Sequence, residues 1–218
     1  MPTADHALYR PLYSPWLAPG EFRRYYEQAA PRTVVSPDRC FVLYSLLKQA
    51  IHINGNVWEC GVYKGGTAAM MLAILRDEMP TKRLYLFDTF EGMPEIDPTR
   101  DLHKQGDFAD TSVESVAAYL GCDARCHIRK GLIPKTFAGL EAERIAFLHV
   151  DLDIYPAIMD TMKFAWPRVS QGGFVVFDDY GFPTCPGARE AVDEFFQSEL
   201  CVPLCLPTGQ AVVFKGVL

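Results

Sequence analysis

The chain has 218 residues, 49% of them hydrophobic and 22% charged, which is the size and balance of a globular domain with a sizeable core. That composition excludes a disordered chain and a disulfide-stapled miniprotein. With 27 acidic against 21 basic residues, a formal charge of −6 argues against broad binding to nucleic acid or to an anionic membrane surface. The opening residues, Met1-Pro2-Thr3-Ala4-Asp5-His6, lack a basic stretch followed by an apolar one, so no signal peptide is read. The longest apolar run, Ala68 to Leu75, is too short to cross a bilayer. The odd count of seven cysteines includes two C-x3-C pairs, Cys122/Cys126 and Cys201/Cys205, with no histidine spaced to complete a zinc site. Reduced, mostly buried thiols and a cytoplasmic location are expected.

In chain order, the first 35 residues are rich in proline and aromatics and read as a loop followed by a short helix from about Gly20 to Ala29. This segment is expected to lie over a main body running from 36 to 218. Asp38, after Pro37, is expected to cap a helix carrying Phe41, Leu43, Tyr44, Leu46, Leu47 and Ile51. Strand and helix then alternate. Val57–Cys60, Arg83–Asp88, Cys126–Lys130, Arg144–Val150 and Gly173–Phe177 read as strands. Between and after them, Thr67–Glu78, a helix to Leu120 opened by a Thr111/Glu114 capping box, Pro156–Trp166 and Gly187–Gln197 read as helices. Cys201–Leu206 and Gln210–Lys215, joined around Pro207-Thr208-Gly209, read as a closing antiparallel hairpin. Buried strands alternating with helices predict a doubly wound, mostly parallel α/β sheet, whose ligands sit beyond the carboxyl ends of the strands.

Two groups of residues follow such strand ends. The first is Glu59-Cys60-Gly61-Val62-Tyr63-Lys64-Gly65-Gly66-Thr67, a glycine turn that opens a helix whose start supplies free N–H donors. Its G-x-x-x-G-G spacing departs from the G-x-G-x-x-G of dinucleotide sites. Asp88, at the next strand end, can accept from both hydroxyls of a ribose. Together they suit a nucleoside carrying an amino-acid tail better than a dinucleotide. The second group is Asp151 and Asp153 after one strand and Asp178 and Asp179 after the next. Parallel neighbouring strands would bring these four carboxylates together, and such crowding is unfavourable without a cation. An all-oxygen donor set points to Mg²⁺, with Ca²⁺ and Mn²⁺ as alternatives. A plainer role, as loop or helix caps, suits one or two of the four. His149 reads as a core histidine, and His6, His52, His103 and His127 show no ligand spacing.

The combination of Trp58–Thr67, Phe87-Asp88-Thr89-Phe90-Glu91-Gly92-Met93-Pro94, Lys130-Gly131, His149–Tyr155, Gly172–Gly181 and Pro207–Ala211 resembles the macrocin O-methyltransferase (TylF) family. The likeness covers about 56 to 215. It implies a Rossmann-like class I methyltransferase sheet, S-adenosylmethionine (SAM) as cofactor and a Mg²⁺ ion orienting a hydroxyl of a sugar or glycosylated acceptor. By position, Asp151, Asp178 and Asp179 would hold the metal and Asp153 would be the general base. Glu59, Gly61, Val62, Tyr63, Gly65, Thr67 and Gly131 would surround the cofactor, with Asp88 on its ribose. The family's longer N-terminal region helps shape the acceptor pocket, and here the aromatic segment before residue 36 could be a lid, a dimer contact of a homo-oligomer or simple packing. A nucleotide-cofactor dehydrogenase and a metal-dependent hydrolase are the competing readings.

Overall fold

A computed structural model describes residues 13–199 and 201–216. Two helices come first, α1 (Glu21–Ala29) and α2 (Pro37–Gln49), followed by β1 (Asn56–Cys60), α3 (Gly66–Glu78), β2 (Leu84–Asp88), α4 (Val113–Leu120) and β3 (Cys126–Lys130). The second half comprises β4 (Ile145–Val150), α5 (Tyr155–Ala165), β5 (Val169–Phe177), α6 (Pro186–Phe196), β6 (Leu204–Cys205) and β7 (Ala211–Phe214). Residues 1–12 of the aromatic N-terminal segment lie outside the described residues.

The strands form one seven-stranded sheet in the order β3-β2-β1-β4-β5-β7-β6. The first five run parallel, and β7 pairs antiparallel with both β5 and β6. The chain steps outward from β1 to β3, then returns to place β4 on the other side of β1. That reversal opens a crevice between the carboxyl ends of β1 and β4, where Cys60 stands opposite Val150.

Alternation along each strand divides the core into two layers. Val57, Leu84, Leu86, Phe147, Phe174 and Val176 point into the layer under α1 to α4. Trp58, Phe87, Leu148, Val150, Val175 and Phe177 point into the layer under α5 and α6. Helix α1 is part of the first layer: Phe22 meets Phe41 edge-on at 5.1 Å, and the Tyr25 hydroxyl donates to Glu78 at 2.9 Å. Among the described residues, no helix is long and apolar enough to cross a membrane.

Several local expectations need correction. The N-cap of α2 is Ser36, and Asp38 sits inside the first turn. The cap of α4 is Ser112, whose hydroxyl accepts from Ser115 N, while Thr111 turns away to donate to the Tyr63 carbonyl. Strand β5 starts at Val169, not Gly173, because Gly172 (φ +78°) carries the strand through an irregularity and still bonds Lys215. Strand β6 is two residues long, following Pro203, which has no N–H for a ladder. The seven cysteines are free, but only Cys40, Cys60 and Cys185 are buried; Cys122 and Cys205 are exposed.

Candidate active site

A cavity of about 310 Å³ lies at the crevice beyond β1, β2, β4 and β5. Gly61, Val62, Tyr63, Asp88 and Gly131 line it, and so do Asp151, Asp153 and Asp179. Glu59, Gly65, Thr67 and Asp178 stand outside this lining. The two groups read from the sequence therefore face one cavity, with part of each set back from it.

Gly61 closes the crevice at the strand-order reversal. Its φ is +87°, and a Cβ there would lie 1.7 Å from the carbonyl oxygen of Asp151. A side chain at this position would push β1 and β4 apart. Two N–H groups of the turn, ahead of the start of α3, are already engaged. Val62 N and Tyr63 N donate to Asp88 Oδ2 at 2.7 and 2.8 Å, and Phe90 N donates to Oδ1 at 2.7 Å. Asp88 thus fixes the turn while lining the cavity. Gly131 N donates to the Asp88 carbonyl at 2.9 Å, which holds the end of β3 beside it. Gly65 (φ +82°) is the N-cap of α3.

Behind the cavity runs a buried polar row. Glu59 and His149 are register partners on β1 and β4, facing the same layer. Glu59 Oε1 accepts from Thr67 Oγ1 at 2.6 Å and lies 3.0 Å from His149 Nδ1. His149 Nε2 lies 3.5 Å from Asp178 Oδ1, which also accepts from Gln210 Nε2 at 2.8 Å. Arg39, reaching from α2, pairs with Asp178 Oδ2 and packs over the Phe182 ring at 4.9 Å. Negative and positive groups alternate along the row, so each buried charge has a partner. Burial pushes the His149 pKa down, but Asp178 and Glu59 outweigh it and raise it to about 10. The same imidazole and Arg39 hold the Asp178 carboxyl below its ordinary value against burial.

In the other carboxylates burial outweighs the compensating charges. Burial, then Asp178, raises the pKa of Asp151 well above the carboxylate range, and burial, then Asp151 and Asp153, does the same to Asp179. Among the described residues, the Asp151 carboxylate receives no hydrogen bond from the protein. Donor atoms of His149, Asp151 and Asp178 lie within 4.8 Å of one another. Asp179 Oδ2 accepts from Asp153 N at 3.1 Å.

Asp153 has a left-handed backbone (φ +59°) that turns its carboxylate along the cavity wall. Cys185 Sγ donates to Asp153 Oδ1 at 3.3 Å, and His103 Nε2 lies 3.5 Å from the same oxygen. Burial raises the Asp153 pKa, with His103 and Cys185 opposing it. Sequence spacing missed His103, because it sits in the long β2–α4 connection and joins Asp153 only through the fold. Arg39 and Gln210 were missed too. An arginine two residues before Phe41 within an apolar helix was the available signal for the first.

The chain matches the family described as Macrocin-O-methyltransferase (TylF) across residues 32–214. It is 32% identical over 155 residues to the 8-demethyl-8-(2,3-dimethoxy-alpha-L-rhamnosyl)-tetracenomycin-C 4'-O-methyltransferase of Streptomyces olivaceus, covering 66% of this chain and 58% of that protein. It is 33% identical over 157 residues to the mycinamicin III 3''-O-methyltransferase of Micromonospora griseorubida, covering 66% and 61%. The match therefore spans about three fifths of the length of these relatives. Among solved structures, the O-methyltransferase NovP superposes with a TM-score of 0.78 at 23% identity, covering 85% of this chain and 83% of that one. That likeness carries the class I methyltransferase fold.

Proposed function

The chain belongs to the macrocin O-methyltransferase family, and from that premise we propose that it transfers the methyl group of SAM to a hydroxyl of a sugar on a glycosylated natural product, with Mg²⁺ bound. The observation that carries this reading is one cavity lined both by the Gly61–Asp88 turn and by Asp151, Asp153 and Asp179. Family membership sets the dehydrogenase and hydrolase alternatives aside.

The residues present suit both groups. Glu59 Oε2 is buried with no hydrogen-bond partner among the described residues, and the ammonium of a methionine tail is a donor of the kind it lacks. Gly61, Val62, Tyr63 and Gly131 would surround SAM, with Asp88 at its ribose, while Gly65 and Thr67 act from behind the wall by capping α3 and holding Glu59. For the cation, burial and neighbouring carboxylates raise the pKa values of Asp151 and Asp179, and a divalent ion held there would lower them again. Asp178 would join them as third ligand.

When bound, SAM would supply an electrophilic methyl whose bond to sulfur breaks to leave S-adenosylhomocysteine, and Mg²⁺ held by Asp151, Asp178 and Asp179 would make the acceptor hydroxyl more acidic. The protein's part is to hold the acceptor in line and to receive its proton. Asp153 Oδ1, on the cavity wall, takes that proton as the oxygen–methyl bond forms. Residues 36–218 would form the methyltransferase domain. Val34 and Val35, at the end of the preceding segment, line the cavity and would contact the acceptor.

A direct test offers the acceptors of the two named relatives with methyl-labelled SAM, with and without EDTA. Labelled glycoside should form, stop with EDTA and return with Mg²⁺. Transfer unaffected by EDTA would remove the metal. No binding of S-adenosylhomocysteine by calorimetry would remove the methyl-transfer reading.

A further inference from the structure

His103, Asp153 and Cys185 come from three separate loops and meet on the cavity wall. Their donor atoms form a small triangle. His103 Nε2 is 3.5 Å from Asp153 Oδ1, Cys185 Sγ is 3.3 Å from the same oxygen, and Cys185 Sγ is 3.5 Å from His103 Nε2. Zinc bond lengths set at tetrahedral angles separate nitrogen from oxygen by about 3.4 Å and sulfur from either by about 3.6 Å. The triangle matches those edges to within about 0.3 Å. Behind the ring, His103 Nδ1 lies 3.4 Å from Asp107 Oδ2. A carboxylate in that place fixes the tautomer and leaves Nε2 to bind a metal.

We propose that His103, Asp153 and Cys185 form a binding site for a thiophilic divalent cation such as Zn²⁺, with Asp107 orienting the imidazole and the fourth position open to the cavity. In the metal-free protein, the thiol proton of Cys185 holds Sγ to Asp153 Oδ1; the cation displaces that proton to solvent and takes its place. The mixed nitrogen, oxygen and sulfur set is chemically distinct from the carboxylates assigned to Mg²⁺, so the two sites select different ions. One consequence rests on the reading of Asp153 as the base: a cation on its Oδ1 blocks proton removal, so zinc inhibits methyl transfer.

Co²⁺ titration of the whole chain tests the site without reference to activity. The wild type should show a thiolate-to-cobalt band in the near ultraviolet and the strong visible bands of four-coordinate cobalt, saturating at one equivalent and displaced by Zn²⁺. Cys185→Ser and His103→Gln should each lose these bands, Asp178→Asn should keep them, and Asp107→Asn should weaken binding by about 10- to 100-fold. Absence of the bands in the wild type would overturn the proposal. So would bands that persist in Cys185→Ser, which would place the cobalt on Cys122 and Cys126. Zinc that fills the site yet leaves transfer at full rate would overturn the base role of Asp153 and leave the site standing.

Discussion

Replacing His149 with glutamine should abolish a dependence of stability on pH that the buried row imposes. The folded imidazole binds its proton up to about pH 10, whereas the ordinary value is 6.5. Between those limits the native chain holds one proton more than the unfolded chain. Stability from this group is therefore complete below about pH 6.5 and is lost as pH rises through 10. The slope is about 1.4 kcal/mol per pH unit, and the whole span amounts to roughly 5 kcal/mol. Guanidinium unfolding in EDTA from pH 6.5 to 9.5 measures it directly. The wild type should lose stability with that extra slope relative to His149→Gln, although the variant starts lower because Glu59 and Asp178 lose the charge between them. If the variant does not fold, the wild-type imidazole carries the test, since its NMR signal should stay at the protonated position through pH 9. A ring that titrates near 6.5, or parallel pH profiles for the two proteins, would refute the charge assignment.

Three further substitutions probe the parts around it. Gly61→Ala should give no folded protein by circular dichroism, since its Cβ would meet the Asp151 carbonyl at 1.7 Å in a left-handed backbone; a folded alanine variant would refute the close approach. Asp88→Ala leaves the N–H groups of Val62, Tyr63 and Phe90 without their acceptor, and should cost about 1–3 kcal/mol of stability. Calorimetry with S-adenosylhomocysteine should also show weaker binding, and unchanged affinity would count against Asp88 at the ribose. Arg39→Met removes one cation from a fully buried Asp178 and should lower stability in EDTA by about 3–5 kcal/mol in urea unfolding. A loss below 1 kcal/mol, about the worth of an exposed pair, would mean that Asp178 does not depend on Arg39.

The sheet was readable because its signals are local. Val57–Cys60 and Arg144–Val150 are short apolar-rich runs bounded by turn residues, and the alternation of strands with helices leaves few parallel arrangements. Helix caps were less readable: Thr111 and Ser112 are adjacent hydroxyls with equal capping capacity, and only the Tyr63 carbonyl decides which one turns outward. The carboxylates Asp151, Asp153, Asp178 and Asp179 were legible as a group because strand ends converge by rule at such an edge. Their partners were not. Arg39, His103 and Gln210 reach the cluster from a preceding helix, a long connection and the turn before β7, and no periodicity records a contact of that kind. Nor does spacing record that Asp88, 26 and 25 positions away, accepts from Val62 N and Tyr63 N within the glycine turn.

The polar row also bears on the order in which the chain folds. Gln210 Nε2 bridges Asp178 and the carbonyl of Arg39, a residue 171 positions earlier. The row is complete only when β7 has docked beside β5. A species that has formed β1 to β5 but lacks β7 holds Asp178 with fewer donors than the native chain provides. Such an intermediate would be more sensitive to salt and acid than the finished protein, and late docking of the last strand would set the pace at which a competent site appears.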